Sequence, residues 1–337
     1  MATRDLQTNH QAINKTSQRI LQFTSNSLEN SYKKALVQIR AEIARLYEAF
    51  DIAGELTRSQ QAQFIRASGI QESILRIMGP AIDGNIELLG DASQLGFDQA
   101  FYRSSWAIDQ ATGVNIGFGQ VSDNAVRAVA GIGGDVADLT GFIAESEVIS
   151  HKKIMDNAFT NYGKDTRTWI QEDIRQGIIN GDSVPQITKR LSKNSLIKSY
   201  NSAERIARTE VLRSTGLGNQ MAYEASRDQG VEIKEVWDAT LDDRTRPDHA
   251  AADGAVRDNV TGMFSVPWGD VPGPRRSGIA SEDISCRCDS NPQIEGFSPE
   301  VRRVRGEGIV PYQTFKTWAK NNNLTTNRFG QKYNFKE

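Results

Sequence analysis

Val231-Glu232-Ile233-Lys234-Glu235-Val236-Trp237-Asp238-Ala239-Thr240 decides the fold class. Val231, Ile233, Glu235, Trp237 and Ala239 alternate with Glu232, Lys234, Val236, Asp238 and Thr240, the two-residue period of a strand. Everything for some sixty residues upstream is punctuated as helix. Residues 165–178 read as a helix stopped by Asn180-Gly181, and Ser183-Val184-Pro185-Gln186 restarts one with an N-cap serine, an early proline and a capping-box glutamine. Ile187 and Leu191 continue it. Asn201-Ser202-Ala203-Glu204 reads as a second capping box, opening a helix that runs to about Asp228 and ends at Gly230. A helical run followed by a strand makes the second half α+β.

The first half reads as helix alone. Leu28, Tyr32, Leu36, Ile39, Ile43, Leu46 and Phe50 recur at alternating spacings of four and three from Tyr32 onward, and Ile13, Ile20 and Leu21 extend the pattern upstream. Such a helix of 35 to 40 residues is expected either to lie along a partner or to pack in an intramolecular bundle. Residues 59–78 and 92–110 also read as helical, with Gly79-Pro80 as a stop between them. Seven glycines within 111–142, in no phosphate-cradling order, suit a connector rather than a nucleotide site. The expected divisions are a helical region 1–110, a Gly-rich connector 111–150, an α+β domain 151–298 and a basic aromatic tail 299–337.

Composition excludes several classes. In 337 residues, 40 Lys and Arg face 42 Asp and Glu, a net charge of -2, so no global basic field marks a nucleic-acid binder. By segment the net charge runs +3 (1–50), -8 (51–150), +4 (151–230), -6 (231–298) and +5 (299–337), an alternation that suits either several partners or solvated faces. Two cysteines, Cys286 and Cys288, exclude a secreted disulfide scaffold. A polar N-terminus and no run of about 18 apolar residues point to a cytoplasmic chain without a membrane span.

Candidate chemistry gathers after the strand, in Asp242-Asp243-Arg244-Thr245-Arg246-Pro247-Asp248-His249 and Asp253-Gly254, and then in Asp283 and Ser285-Cys286-Arg287-Cys288. The Pro/Gly/Trp loop 266–274 between them is expected to lack regular structure. Three readings stand. His249, Asp283, Cys286 and Cys288 are a candidate zinc set, since imidazole and thiolate suit that ion. Asp242, Asp243, His249 and Asp253 are a candidate hydrolytic or nuclease cluster. In the architectural reading, Arg244 and Arg246 pair with carboxylates, Asp243 or Thr245 caps a helix near Pro247, and the cysteines share one face of a strand. Glu210 and Arg213, one turn apart, are expected to form a buried network with the 242–253 loop.

In the tail, Arg302, Arg303, Arg305, Lys316, Lys320, Arg328, Lys332 and Lys336 are interleaved with Tyr312, Phe315, Trp318, Phe329, Tyr333 and Phe335. That pattern suits either DNA contacts, with the first five cations as candidates, or aromatics packed on the domain with charges in water.

Together, Ala207-Arg208-Thr209-Glu210, Tyr223, Trp237-Asp238-Ala239-Thr240-Leu241-Asp242-Asp243-Arg244-Thr245-Arg246-Pro247-Asp248-His249, Asp253-Gly254 and Cys286-Arg287-Cys288 resemble the phage minor head protein family, the Mu protein F-like head morphogenesis proteins. The resemblance covers roughly residues 155–290. Some members carry Cys-x-x-Cys where this chain has Arg246 to His249, and His-x-x-Cys-x-Cys where it has Asp283 to Cys288. These departures remove one cysteine and one histidine from a zinc set. The resemblance implies a helical N-terminal region before an α+β minor-head domain with a small sheet. It also implies a non-enzymatic virion component, made in the host cytoplasm and built into the procapsid beside the portal. Implied partners are the portal protein, a scaffold or major capsid protein, and packaged genomic DNA; no cofactor comes with it. The heptad helix and charge blocks are then expected docking surfaces.

Overall fold

A computed structural model describes residues 2–50, 52–114, 127, 145–294, 301–304, 308–333 and 335. Most of the expected connector, Arg305 and Lys336 lie outside them. The elements are α1 (Ala2–Ala49), α2 (Arg58–Ala67), α3 (Ile70–Thr112), α4 (Glu145–Asn180), α5 (Val184–Lys193), α6 (Ser195–Asp228), β1 (Ile233–Asp238), α7 (Pro247–Ala252), β2 (Phe264–Val266), β3 (Gly269–Val271), α8 (Ala280–Asp283), β4 (Asp289–Ile294), β5 (Val301–Val304), β6 (Gly308–Pro311) and α9 (Phe315–Asn321). The chain divides into two compact units that cut across the order of the sequence. One holds residues 21–92 and 153–207; the other holds 1–20, 93–152 and 208–337.

The first unit is all helix. The heptad positions of α1, Leu28, Tyr32, Ile39, Ile43 and Leu46, are buried in its core with Met78 and Ile82 of α3, Met155 and Ile174 of α4, and Leu191 of α5. Leu36 and Phe50 pack half-buried against the same core. The seam is therefore spent inside the protein, and the expectation that it docks a partner is corrected in favour of the bundle. Asn85 Nδ2 donates to Tyr162 Oη at 3.0 Å, and the Tyr162 hydroxyl also meets that of Tyr32.

Two helix boundaries differ from the sequence reading. Helix α3 runs through Gly79-Pro80 for 43 residues. Pro80 is exposed, so the carbonyl it leaves without an amide partner can turn to water, while Met78 and Ile82 on either side are fully buried. Packing on both sides of the proline outweighs the local break. Likewise, Asn201-Ser202-Ala203-Glu204 is helix interior, because α6 already starts at Ser195. There the Ser195 amide donates to Asp173 at 3.1 Å and its hydroxyl to the Trp169 carbonyl at 2.8 Å, fastening the start of α6 to α4. The Ser183 box does form: the Ser183 amide donates to Gln186 Oε1 at 2.5 Å.

The second unit is α+β. Its β1 and β4 are antiparallel, with Ile233 opposite Ile294 and Asp238 opposite Asp289. Loop 266–274 is regular in its first part, where β2 and β3 form a hairpin closed by Pro267-Trp268 with Gly269, at φ +124°, opposite Val266; residues 272–274 lie in no strand or helix, as expected. Gly269, just after the turn, takes the positive φ that other residues avoid, and Pro267, in the turn itself, lies outside the paired positions. The β5–β6 hairpin and α9 bring the expected tail into the domain. Val304 bridges Leu241, and Phe315, Trp318 and Tyr333 bury with Leu241 and Ala250. Helices α3 and α6 cross closely in this unit. A Cβ on Gly218 would lie 2.3 Å from the Phe97 carbonyl oxygen, and one on Gly96 2.9 Å from that of Val211.

Candidate functional site

Helix α7 starts where the sequence reading places it, but by a different device. Its N-cap is Arg246, in extended conformation, with Pro247 in the first turn and no side-chain cap from Asp243 or Thr245. Thr245 instead donates its hydroxyl to the Thr240 carbonyl, tightening the preceding turn, and Asp243 is exposed. One turn into α7, His249 points inward and is 2% exposed. Its Nδ1 lies 3.2 Å from Cys288 Sγ and 3.5 Å from Cys286 Sγ, and its Nε2 lies 3.1 Å from Glu282 Oε2. Trp268, at the tip of the β2–β3 hairpin, stacks on the imidazole with centroids 4.7 Å apart. Trp237 packs edge-on against Trp268.

Both cysteines sit just before β4, buried to 1% and 3% exposure, so the expectation that they share one face of a strand is corrected: the strand begins at Asp289. Burial alone pushes the Cys286 thiol up, but hydrogen bonds from Cys288 and His249 and the nearby Arg275 charge reverse this and hold it well below the usual thiol range. Burial, then the hydrogen bond and charge of Cys286, pushes Cys288 well above it. Arg275, with φ +66°, donates to the Cys288 carbonyl and so ties the segment before β4 to the loop after β3.

Asp283 does not join the cluster. Its oxygens accept from the Ser277 amide at 3.0 Å, the Ser277 hydroxyl at 2.8 Å and the Gly278 amide at 2.9 Å, and Arg213 lies 3.7 Å away. The acid beside the histidine is its neighbour Glu282. The nuclease reading loses its convergence in the same way. Asp242 is bound by Arg287, with Nη2 to Oδ1 at 2.7 Å, and accepts the Arg244 amide at 2.9 Å. Asp253 accepts the amides of Ala239 at 2.7 Å and Phe315 at 2.6 Å. These carboxylates hold turns together and leave no pair facing His249.

Arg244 keeps a 3.9 Å contact with Asp242, whereas Arg246 pairs with no carboxylate among the described residues. Arg246 donates to the carbonyls of Ser281, Glu282 (3.2 Å) and Ile284 (3.3 Å), closing the end of α8. Arg213 forms the expected buried pair with Glu210, but it reaches Asp283 and the Arg275 carbonyl rather than the 242–253 loop. Burial, only partly offset by Arg213, holds the Glu210 carboxyl above the usual range. Thr209 accepts the Ser285 amide at 3.1 Å, and Arg208 faces solvent. Gly254, at φ +85°, turns the chain so that its amide meets the Trp237 carbonyl at 2.9 Å. The motif residues thus lock α6, β1, α7 and the segment before β4 into one unit.

Among the candidate DNA contacts, Lys316 and Lys320 are exposed on α9. Arg302 is not available. It is 6% exposed, donates to Asp253 Oδ1 at 2.7 Å and to the Gln313 carbonyl at 2.8 Å, and pairs with Asp238. Glu282, Trp268 and Arg275 were not singled out by the sequence reading. Glu282 is 33 residues from His249, and no spacing rule joins them.

An open pocket lined by Thr240, Arg244, Arg246, Arg287, His249 and Cys288 reaches the cluster from solvent. No described helix is long and apolar enough to cross a membrane.

Residues 168–290 match the family described as Phage Mu protein F like protein. The chain is 24% identical over 316 residues to the minor head protein GP7 of Bacillus phage SPP1, covering 93% of this chain and 97% of that one. It is 25% identical over 298 residues to an Enterococcus faecalis protein named NAD(+)--arginine ADP-ribosyltransferase EFV, covering 88% of this chain but 57% of that longer one. No solved structure gives a significant match.

Proposed function

We infer that this chain is a minor head protein of the Mu F-like kind, a structural component in phage head morphogenesis. The observation that carries the reading is coverage: the chain and the SPP1 minor head protein align over nearly their whole lengths. The family match from 168 to 290 spans the motif residues that α6, β1, α7 and β4 pack together. The enterococcal relative extends well beyond the part aligned here, so the transferase activity in its name is not carried over. A non-enzymatic role is supported further by Asp242 and Asp253, whose oxygens are taken by backbone amides and arginines.

The protein enters the procapsid beside the portal during assembly in the host cytoplasm and stays in the virion, touching portal, scaffold or major capsid protein. Its α1 seam does not make that contact, being buried. Quantitative mass spectrometry of washed heads from the phage carrying this gene tests it. A few copies per head, lost from heads assembled without portal, are expected. Absence from washed heads removes the virion role, and equal amounts with and without portal remove the portal contact.

A further inference from the structure

We propose that His249, Cys286 and Cys288 bind a Zn²⁺ ion through Nδ1 and two Sγ atoms, with Glu282 orienting the imidazole and the fourth position open to the pocket. The geometry is close to what the ion needs. Tetrahedral zinc with Zn–S of about 2.3 Å and Zn–N of about 2.05 Å sets its nitrogen and sulfur ligands about 3.6 Å apart. Here the Nδ1···Sγ distances are 3.2 and 3.5 Å, and all three donor atoms lie within 4.8 Å of one another. Only small adjustments are needed to seat the ion.

The surroundings fit as well. A carboxylate accepting the far ring N–H of a histidine fixes the tautomer that leaves the near nitrogen as ligand, and Glu282 stands 3.1 Å from Nε2. Trp268 stacks on the ring and limits its tilt. Two thiolates and one imidazole match a borderline-soft cation better than magnesium or calcium. Asp283, the sequence-based fourth ligand, is committed to Ser277 and Gly278, so the protein supplies three ligands. Solvent completes the set from the side of Thr240, Arg244 and Arg287. Bound there, the ion joins α7 to the segment before β4 across 37 and 39 residues of chain.

The test uses the reduced full-length chain. Metal content is measured by mass spectrometry, and the metal-free protein is titrated with Co²⁺. Because Cys286 and Cys288 are the chain's two cysteines, a thiolate-to-cobalt charge-transfer band reports this site even if a variant fails to fold. One cobalt per chain with that band and tetrahedral visible bands is expected, displaced by stoichiometric Zn²⁺. Cys288→Ser is expected to reduce the band, His249→Ala to weaken Co²⁺ affinity and shift the visible bands as solvent oxygen replaces nitrogen, and Glu282→Gln to weaken affinity about 10- to 100-fold while keeping the stoichiometry. A chain folded by circular dichroism that shows no charge-transfer band at excess Co²⁺ overturns the proposal. So does a folded His249→Ala whose Co²⁺ affinity and visible bands are both those of the parent.

Discussion

Arg302→Met separates a DNA contact from a structural tie. The guanidinium is 6% exposed and sits against Asp238, Asp253 and the carbonyls of Ala239 and Gln313. Methionine fills much of the same volume but leaves two carboxylates facing each other, with burial pushing Asp238 upward. Removing one partner of a buried ion pair costs about 3–5 kcal/mol. The Asp253 carboxylate keeps two backbone amides, at 2.7 and 2.6 Å, which places the expected loss near the lower end, about 3 kcal/mol. For a domain of this size that lowers Tm by about 6–12 °C. Asp253→Asn combined with Arg302→Met is expected to cost less than the two single losses added, because the residual charge is gone. Urea unfolding followed by circular dichroism supplies the free energies, and DNA retention at several salt concentrations is measured alongside. A loss below about 1 kcal/mol, or DNA binding that weakens without loss of stability, would refute the assignment.

Two glycines in helices should respond with opposite signs. Gly218→Ala puts a methyl 2.3 Å from the Phe97 carbonyl oxygen and forces α3 and α6 apart, an overpacking cost of about 1–3 kcal/mol or more that exceeds the helix-propensity gain of about 1 kcal/mol. Gly84→Ala meets nothing within 4 Å, so it should stabilise by about 0.5–1 kcal/mol; equal shifts in Tm would contradict the close crossing. His10 gives a pH dependence. Burial lowers its pKa, but Asp289, 3.3 Å away, and then Asp238 outweigh that and raise it above 6.5, while Asp289 is held low. A raised histidine pKa gives stability that is fully present below pH 6.5 and lost as pH rises through the folded value. Arg275 and Arg302 are the cations beside the same carboxylates. Tm of the parent should therefore fall relative to His10→Gln as pH rises above 6.5, and parallel profiles would sink the idea.

What the sequence makes legible here is local. Asn180-Gly181, Ser183 with Gln186, and Asp228 with Gly230 end or start helices because each device acts within four residues. Gly79-Pro80 and Asn201-Ser202-Ala203-Glu204 carry equally strong local signals and are overruled by packing along α3 and by the earlier anchoring of Ser195 on Asp173. The candidate site divides the same way. Residue type alone nominates His249, Cys286 and Cys288. Which of the adjacent acids serves the histidine depends on α8, where neighbouring side chains point about 100° apart, so Glu282 faces His249 while Asp283 faces Ser277. Spacing does not encode that choice.

The charge blocks change meaning once the chain is folded. The acidic stretch 231–298 and the basic stretch 299–337 look in sequence like surfaces for different partners. In the structure both belong to one compact unit. Arg302 of the basic block neutralises Asp238 and Asp253 of the acidic one, and the Arg328 amide donates to the Asp243 carbonyl at 2.7 Å. Val304, Phe315 and Tyr333 complete the apolar contact with Leu241 and Ala250. At Arg302, then, the last two blocks pair with each other inside one domain. Of the cations in the sequence motifs, Arg208 on α6 and Lys316 and Lys320 on α9 remain exposed.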